Sequence, residues 1–191
     1  MVSVIATPRQ RFELLAAEVA DPVLRYALRR TDPHTAQDVV SETLLIAWRR
    51  LDDVPEGAAL PWCYAVAHNV LANMARSARR QRNLVARIIA IDPPAATTQA
   101  ADLPDPDLHR ALACLRSDEQ ELLRLWAWED LTPAEIAVVL GITPNAVSIR
   151  LHRARGRLAD VLADDRTSSD AHARKTPPAS GHELHERGGT Q

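Results

Sequence analysis

Residues 131–158 read LTPAEIAVVLGITPNAVSIRLHRARGRL, and this stretch constrains the fold more than any other. Thr132 suits a helix cap, Pro133 the first helical turn and Glu135 the closing position of a capping box, which predicts a short helix to about Leu140. Gly141 supplies the left-handed residue that ends it. Ile142 precedes a second start at Thr143 and Pro144, where a hydrophobic staple reaches Val147. Helices joined this tightly must cross. Ala137 is small enough for close approach, Gly141 makes the turn and Val147 fills the angle, which is the helix-turn-helix pattern.

Along the second helix, Val147, Leu151, Ala154 and Leu158 form one apolar stripe, predicted to be buried. Asn145, Ser148, Ile149, His152 and Arg153 project the other way, with Arg150, Arg155 and Arg157 on the flanks. Flanking arginines hold phosphates, and short polar side chains between them reach base edges in a major groove. Asn145 and Arg153 are the best-placed base readers; His152 equally suits packing on a sugar.

Net charge is −2, so the distribution of charge carries the argument for nucleic acid. Of 23 basic residues 22 are arginine; one group is Arg76, Arg79, Arg80, Arg82 and Arg87, and another is the set from Arg150 to Arg157. Acids gather in 102–107 and 118–135. Two separate basic patches suit a partner that carries phosphates at two places.

The remaining sequence predicts an all-α protein, because aromatics make up only 4% of it and glycine is scarce. Proline marks most helix starts: Thr7-Pro8, then Asp21-Pro22, then a helix over roughly 34–50 with a stripe of Ala36, Val39, Val40, Thr43, Leu44 and Ala47. A long helix follows from Pro61, with Trp62, Val66 and Val70 toward the core. Tyr64, His68, Leu71 and Ala75 are predicted to face outward, whereas Asn69 and Asn73 project near the buried side. Four prolines within 91–108 exclude a continuous helix there and predict a linker. Helices resume at 107, and Ser117 with Gln120 has capping-box spacing. The expected organisation is a helical domain over 8–90, a linker over 91–106, a second helical domain over 107–163 and a disordered tail over 164–191.

On the third helix Asp38, Ser41, Glu42 and Leu45 recur at three- and four-residue steps, with Arg49 following. Exposed acids beside a leucine suit docking to a basic helical partner. Taken with the stretches AQDVVSETLLIAWRRLDDVP, LPWCYAVAHNVLANMARSARR and LTPAEIAVVLGITPNAVSIRLHRARGRL, this chain resembles the extracytoplasmic-function (ECF) subgroup of bacterial sigma factors over about residues 9–90 and 107–162. The resemblance implies that Asp38, Ser41, Glu42, Leu45 and Arg49 contact core RNA polymerase. Ser41 stands where the family usually has glutamine, which bears on the strength of that contact. It implies further that residues 52–60 form a loop holding an everted −10 base, that Tyr64, His68, Asn69, Asn73, Arg76, Arg79 and Arg80 belong to the −10 surface, and that the helix-turn-helix reads the −35 element. A structural, hydrogen-bonding role for Asn69 and Asn73 stands beside the DNA-reading one. Promoter DNA and an anti-sigma factor are the other partners implied.

Other classes have less behind them. No glycine-rich phosphate loop is present and the seven histidines are too scattered for a metal cluster, so neither an enzyme nor a metal or other cofactor is expected. His182 and His185 in the tail allow adventitious metal binding at most. Cys63 and Cys114 cannot make a disulfide framework and read as small apolar fillers. No apolar run reaches membrane-span length and no secretory signal opens the chain, which predicts a cytoplasmic protein with no membrane insertion and no small-molecule substrate. The rival reading is a one-component helix-turn-helix regulator acting as a dimer on a palindrome.

Overall fold

The computed structural model describes residues 7–88 and 106–173, with side chains over 7–82 and 107–164. Seven α-helices and no strand occur among the described residues. α1 (Pro8–Leu28), α2 (Pro33–Arg49) and α3 (Ala59–Ile88) pack together as an N-terminal bundle. α4 (Pro106–Ala113), α5 (Ser117–Ala127), α6 (Pro133–Leu140) and α7 (Pro144–Ala173) form a second group around α7. Residues 91–105 of the expected linker, the Arg87 side chain and residues 174–191, with His182 and His185, lie outside the described residues.

Local chemistry sets most helix ends. Thr7 accepts from the Gln10 backbone N–H at 3.3 Å, while the Gln10 side chain accepts from the Thr7 N–H at 2.9 Å. Asp32 caps α2 by accepting from the Thr35 hydroxyl at 2.6 Å and its N–H at 3.0 Å, and these bonds hold its carboxyl down at about 2. In the helix-turn-helix, Glu135 accepts from the Thr132 N–H at 2.8 Å, Gly141 sits at φ 64°, and Thr143 accepts from the Ala146 N–H at 3.2 Å. The axes of α6 and α7 are bent by 102° across that turn. Val147 is fully buried in the corner, and Ala137, Leu151 and Ala154 are buried beside it.

The structure corrects four expected boundaries. Pro22 lies inside α1 rather than opening a new helix. Its missing N–H deprives only the carbonyl of residue 18, and Glu18 and Asp21 are both exposed, so water reaches that side of the helix. α3 begins at Ala59, two residues ahead of Pro61, because Gly57 at φ 73° completes the preceding turn. The α5 start is capped one residue earlier than expected: Glu119 accepts from the Arg116 N–H at 3.3 Å, while the Gln120 amide donates to the Leu115 carbonyl at 2.9 Å. α7 continues as helix to Ala173, past the expected onset of disorder at 164. Once nucleated, a helix propagates cheaply, and no proline or glycine interrupts residues 157–173. Of the two cysteines, Cys63 is a buried filler as expected, whereas Cys114 is exposed.

The two groups share one apolar core. Val19, Val23, Val39, Ala67 and Val70 fill the first half and Leu122, Leu125, Ile136, Val139 and Val147 the second, with α3 packed on α6 where they meet. Beside this seam is a buried ionic centre. Glu129, with 1% of its side chain exposed, receives Arg30 Nη1 at 3.1 Å and both Arg29 Nη2 and, at 3.3 Å, Arg29 Nε. Arg30 Nε also donates to Glu121 at 3.0 Å, and its guanidinium lies 3.6 Å from the centre of the Tyr26 ring. The Tyr26 hydroxyl donates to Glu121 at 3.3 Å, and His68 Nδ1 lies 3.7 Å from the same carboxylate. Asp130, in the left-handed region at φ 53°, turns the chain immediately after Glu129. Burial pushes the Glu121 carboxyl up, but the nearby His68 imidazole and the charge and hydrogen bond of Arg30 outweigh it and hold the group at about 2.

Two expectations follow. Alanine at Gly141 meets no atom within 4 Å but must adopt φ 64°, so Gly141→Ala lowers unfolding free energy by about 1 kcal/mol in chemical denaturation, with asparagine costing less. Because Glu121 titrates at about 2 against an ordinary 4.5, its contribution is complete above pH 4.5 and is lost as pH falls toward 2. The stability margin of the wild type over Glu121→Gln, measured by denaturant titration, accordingly narrows by about 2 kcal/mol between pH 6 and pH 3.

Candidate nucleic-acid interface

The 102° corner fixes which side of α7 is available. With Val147, Leu151 and Ala154 sealed against α4–α6, the residues Asn145, Ser148, Ile149, Arg150, His152, Arg153, Arg155 and Arg157 are all exposed. They do not carry equal freedom. Arg157 pairs with Glu119 of α5, and the Arg155 guanidinium stacks 4.7 Å from the Trp126 ring. The Ser148 hydroxyl donates back to the Pro144 carbonyl at 3.1 Å. Arg150 and Arg153 have no ion-pair partner among the described residues, so they are the cations most ready to meet phosphate or base. Ile149, 45% exposed, adds an apolar contact between them.

On α3 the structure rearranges the expected set. Tyr64 is buried, not outward: its ring packs on Tyr26 with centroids 5.1 Å apart, and burial first, then the charge of Glu129, raises its hydroxyl to about 12. His68 is half-buried, turned to Tyr26 and Glu121 rather than to solvent. Leu71 is also half-buried, packed at the edge of the core. Asn69 and Asn73, projected near the core, are exposed. The helical wheel misplaced these residues because α3 is covered from three directions, by α1, α2 and α6, which shifts its buried face. The Asn73 side chain accepts from Arg76 at 2.7 Å, and Arg76, Arg79 and Arg80 are exposed along the following turns. Before α3, Arg11 bonds Asp52 at 2.9 Å and Arg50 bonds Asp53 at 2.9 Å, so the loop entering it is tethered at its base.

α2 presents Asp38, Ser41, Glu42, Leu45 and Arg49 to solvent. The Ser41 hydroxyl donates to the Gln37 carbonyl at 2.9 Å, and His34 lies 3.5 Å from Asp38. One neighbour escaped the sequence reading: Trp48, 45% exposed, meets Phe12 edge-on at 5.1 Å and extends the apolar part of this face. Its position three residues after Leu45 was the available signal.

A cleft of about 1380 Å³ between the two helical groups is lined on one wall by His68, Ala72 and Ala75 and on the other by Arg150, Arg153 and Arg157. Arg30 and Glu121, which also line it, and their partners Arg29 and Glu129 have no signal in the sequence; partners 91 to 100 residues apart leave no local pattern.

Comparison with known proteins identifies both helical groups. Residues 15–81 match the sigma-70 region 2 family model and residues 106–158 the sigma-70 region 4 model. The ECF RNA polymerase sigma factor SigL of Mycobacterium tuberculosis is 36% identical over 145 residues, which span 72% of this chain and 80% of SigL. CnrH, solved in complex with the cytosolic domain of CnrY, is 25% identical with a TM-score of 0.53, covering 84% of this chain and 92% of that one. The sigma factor RpoE of Bartonella quintana, solved with the anti-sigma factor NepR, shares the fold at a TM-score of 0.61 and 23% identity, over 80% of this chain and 96% of RpoE. Two family models in register with α1–α3 and α4–α7, and a relative this similar over most of its length, establish that the chain belongs to the ECF group of the sigma-70 family of RNA polymerase sigma factors.

Proposed function

We propose that this chain binds core RNA polymerase through α2 and directs it to promoters by reading the −35 element with α7 and the −10 element with α3 and its preceding loop. The observation that carries this reading is the sealed apolar stripe of α7 set against an outer face on which Arg150 and Arg153 have no ion pair among the described residues. Arg153 and Asn145 reach base edges, Arg150 and Arg155 hold phosphates, and Ile149 contacts a thymine methyl. On α2, Asp38 and Glu42 face a basic helical surface of the polymerase, with Leu45 and Trp48 supplying apolar anchors and Arg49 a terminal ion pair. Membership of the family supports the polymerase partner, and the relatives solved with anti-sigma factors support one here, acting in the cytoplasm. The family does not favour the dimeric one-component regulator.

The protein carries no bond-making step; polymerase does the chemistry. Its contribution to opening is thermodynamic: a base leaving the stack is held in the loop before α3, which shifts the opening equilibrium by about a few kcal/mol per base. Asn69, exposed about three turns into α3, is available beside that base, and Asn73 holds Arg76 for the strand that follows. Aromatic support is thin. Tyr64 is committed to Tyr26, and the Trp62 face is covered by Arg50 at 5.7 Å.

Run-off transcription with core polymerase and a promoter library tests the reading: added protein confers selectivity for a bipartite promoter, and its absence sinks the proposal. In the same assay Arg153→Ala relaxes preference at one −35 position by about 1–3 kcal/mol, whereas Arg150→Ala weakens binding evenly and lowers the salt slope by about 0.9. Thin aromatic support predicts a narrow promoter range. Single substitutions in the −10 element then abolish most transcription, and retention of activity across most of them counts against the weak-melting account.

A further inference from the structure

Two tryptophans at the end of α5 have opposite surroundings. Trp128 is half-buried and packs against the core, whereas Trp126 is 38% exposed and meets α7. Its neighbour there is a cation: the Arg155 guanidinium lies 4.7 Å from the centre of the Trp126 ring. Arg155 has no carboxylate partner among the described residues.

Two arginines of α7 thus reach α5 in different ways. Arg157 pairs with Glu119, which neutralises its charge and occupies N–H donors. An aromatic ring engages only the face of a guanidinium, so the charge remains and the in-plane N–H groups stay free to donate. Arg157 is restrained and partly consumed; Arg155 is restrained and still available.

Position around α7 says what Arg155 is available for. At 3.6 residues per turn Arg150 and Arg157 fall within about 20° of each other, and both line the cleft toward the N-terminal group. Arg155 lies about 140° round from Arg150, within about 20° of Ser148, and does not line that cleft. A helix seated in a major groove has a sugar-phosphate strand on either side. Arg150 serves one of them. On the opposite flank Arg155 is the sole guanidinium among the described side chains of α7. An arginine that grips a phosphate loses rotamer freedom, and a ring that fixes it beforehand removes that loss from the binding step.

We propose that Trp126, which lies outside the helix-turn-helix, is a positioning residue of the DNA interface. Its ring holds Arg155 on the Ser148 flank of α7, where the guanidinium meets a backbone phosphate of the second strand with its charge and donors intact. The inference rests on the reading of α7 as the −35 helix and deepens it.

The test uses the full chain and a fluorescent duplex of random sequence, about 30 base pairs long, because a phosphate contact does not depend on base identity. Anisotropy gives the affinity at several salt concentrations. Arg155→Ala lowers the slope of log affinity against log salt by about 0.9. Trp126→Ala weakens binding by about two- to fivefold and moves the slope the same way. Trp126→Phe, which keeps a π face, restores most of the affinity. Trp126→Leu keeps apolar cover without that face and does not restore it; this variant carries the test if circular dichroism shows that the alanine variant loses helix. The decisive measurement is the double variant: once Arg155→Ala is in place, Trp126→Leu has no further effect. A merely structural Trp126 weakens binding by the same factor in both backgrounds, and that result overturns the proposal, as does wild-type affinity in Trp126→Leu or in Arg155→Ala. Run-off transcription judges the promoter reading separately. If polymerase gains no selectivity while the two substitutions remain coupled, that reading fails and the role of Trp126 in DNA binding stands; selectivity with additive substitutions gives the reverse.

Discussion

One carboxylate, that of Glu129, receives two guanidinia from the other half of the molecule while almost wholly withdrawn from water. Together with the apolar contact of α6 on α3, it fixes how the two helical groups sit. It ties the turn after α5 to the end of α1, beside the packing of α6 on α3. A buried ionic contact of this kind contributes little net stability compared with a well-packed apolar one, but it is exacting about geometry, because a displaced partner leaves a charge stranded. It specifies how the two groups sit rather than how strongly the chain folds.

The division of labour between arginine and carboxylate runs through the whole molecule. Arginine does two jobs with one chemistry: Arg29 and Arg30 make planar, forked contacts internally, whereas Arg150 and Arg153 stand exposed at the surface with no ion pair among the described residues. The acids of α5 and its C-terminal turn separate these uses, since Glu121 and Glu129 engage the first pair and Glu119 restrains Arg157. The −2 net charge thus hides a molecule whose positive groups are sorted by position.

Sequence revealed the parts of this structure whose cause is local. The Thr132–Glu135 box, the left-handed Gly141, the second cap at Thr143 and the buried Val147 all depend on residues within six positions of one another, and each appears as read. The outward set of α2 was equally legible, because Ala36, Val39, Thr43 and Ala47 define its buried side without ambiguity. Legibility failed where tertiary contacts decide. Tyr64 and Asn69 exchanged their expected surroundings because α3 is covered by three helices and not by one. Pro22 read as a helix start, yet α1 absorbs it because the deprived carbonyl lies on a wet side. The ionic centre left no trace in the sequence, since adjacent arginines and scattered glutamates are unremarkable until folding brings them together.

α7 runs unbroken for 30 residues, about 45 Å at 1.5 Å per residue, although the DNA-reading residues occupy only its first half. Its first half is packed against α4–α6, so the reading residues and the distal turns belong to one stiff body. A tilt of that body by about 10° swings the far end by roughly 8 Å over that length. Any molecule that grasps the distal turns would gain mechanical advantage over the reading head, steering it from a distance without touching a single base-contacting side chain.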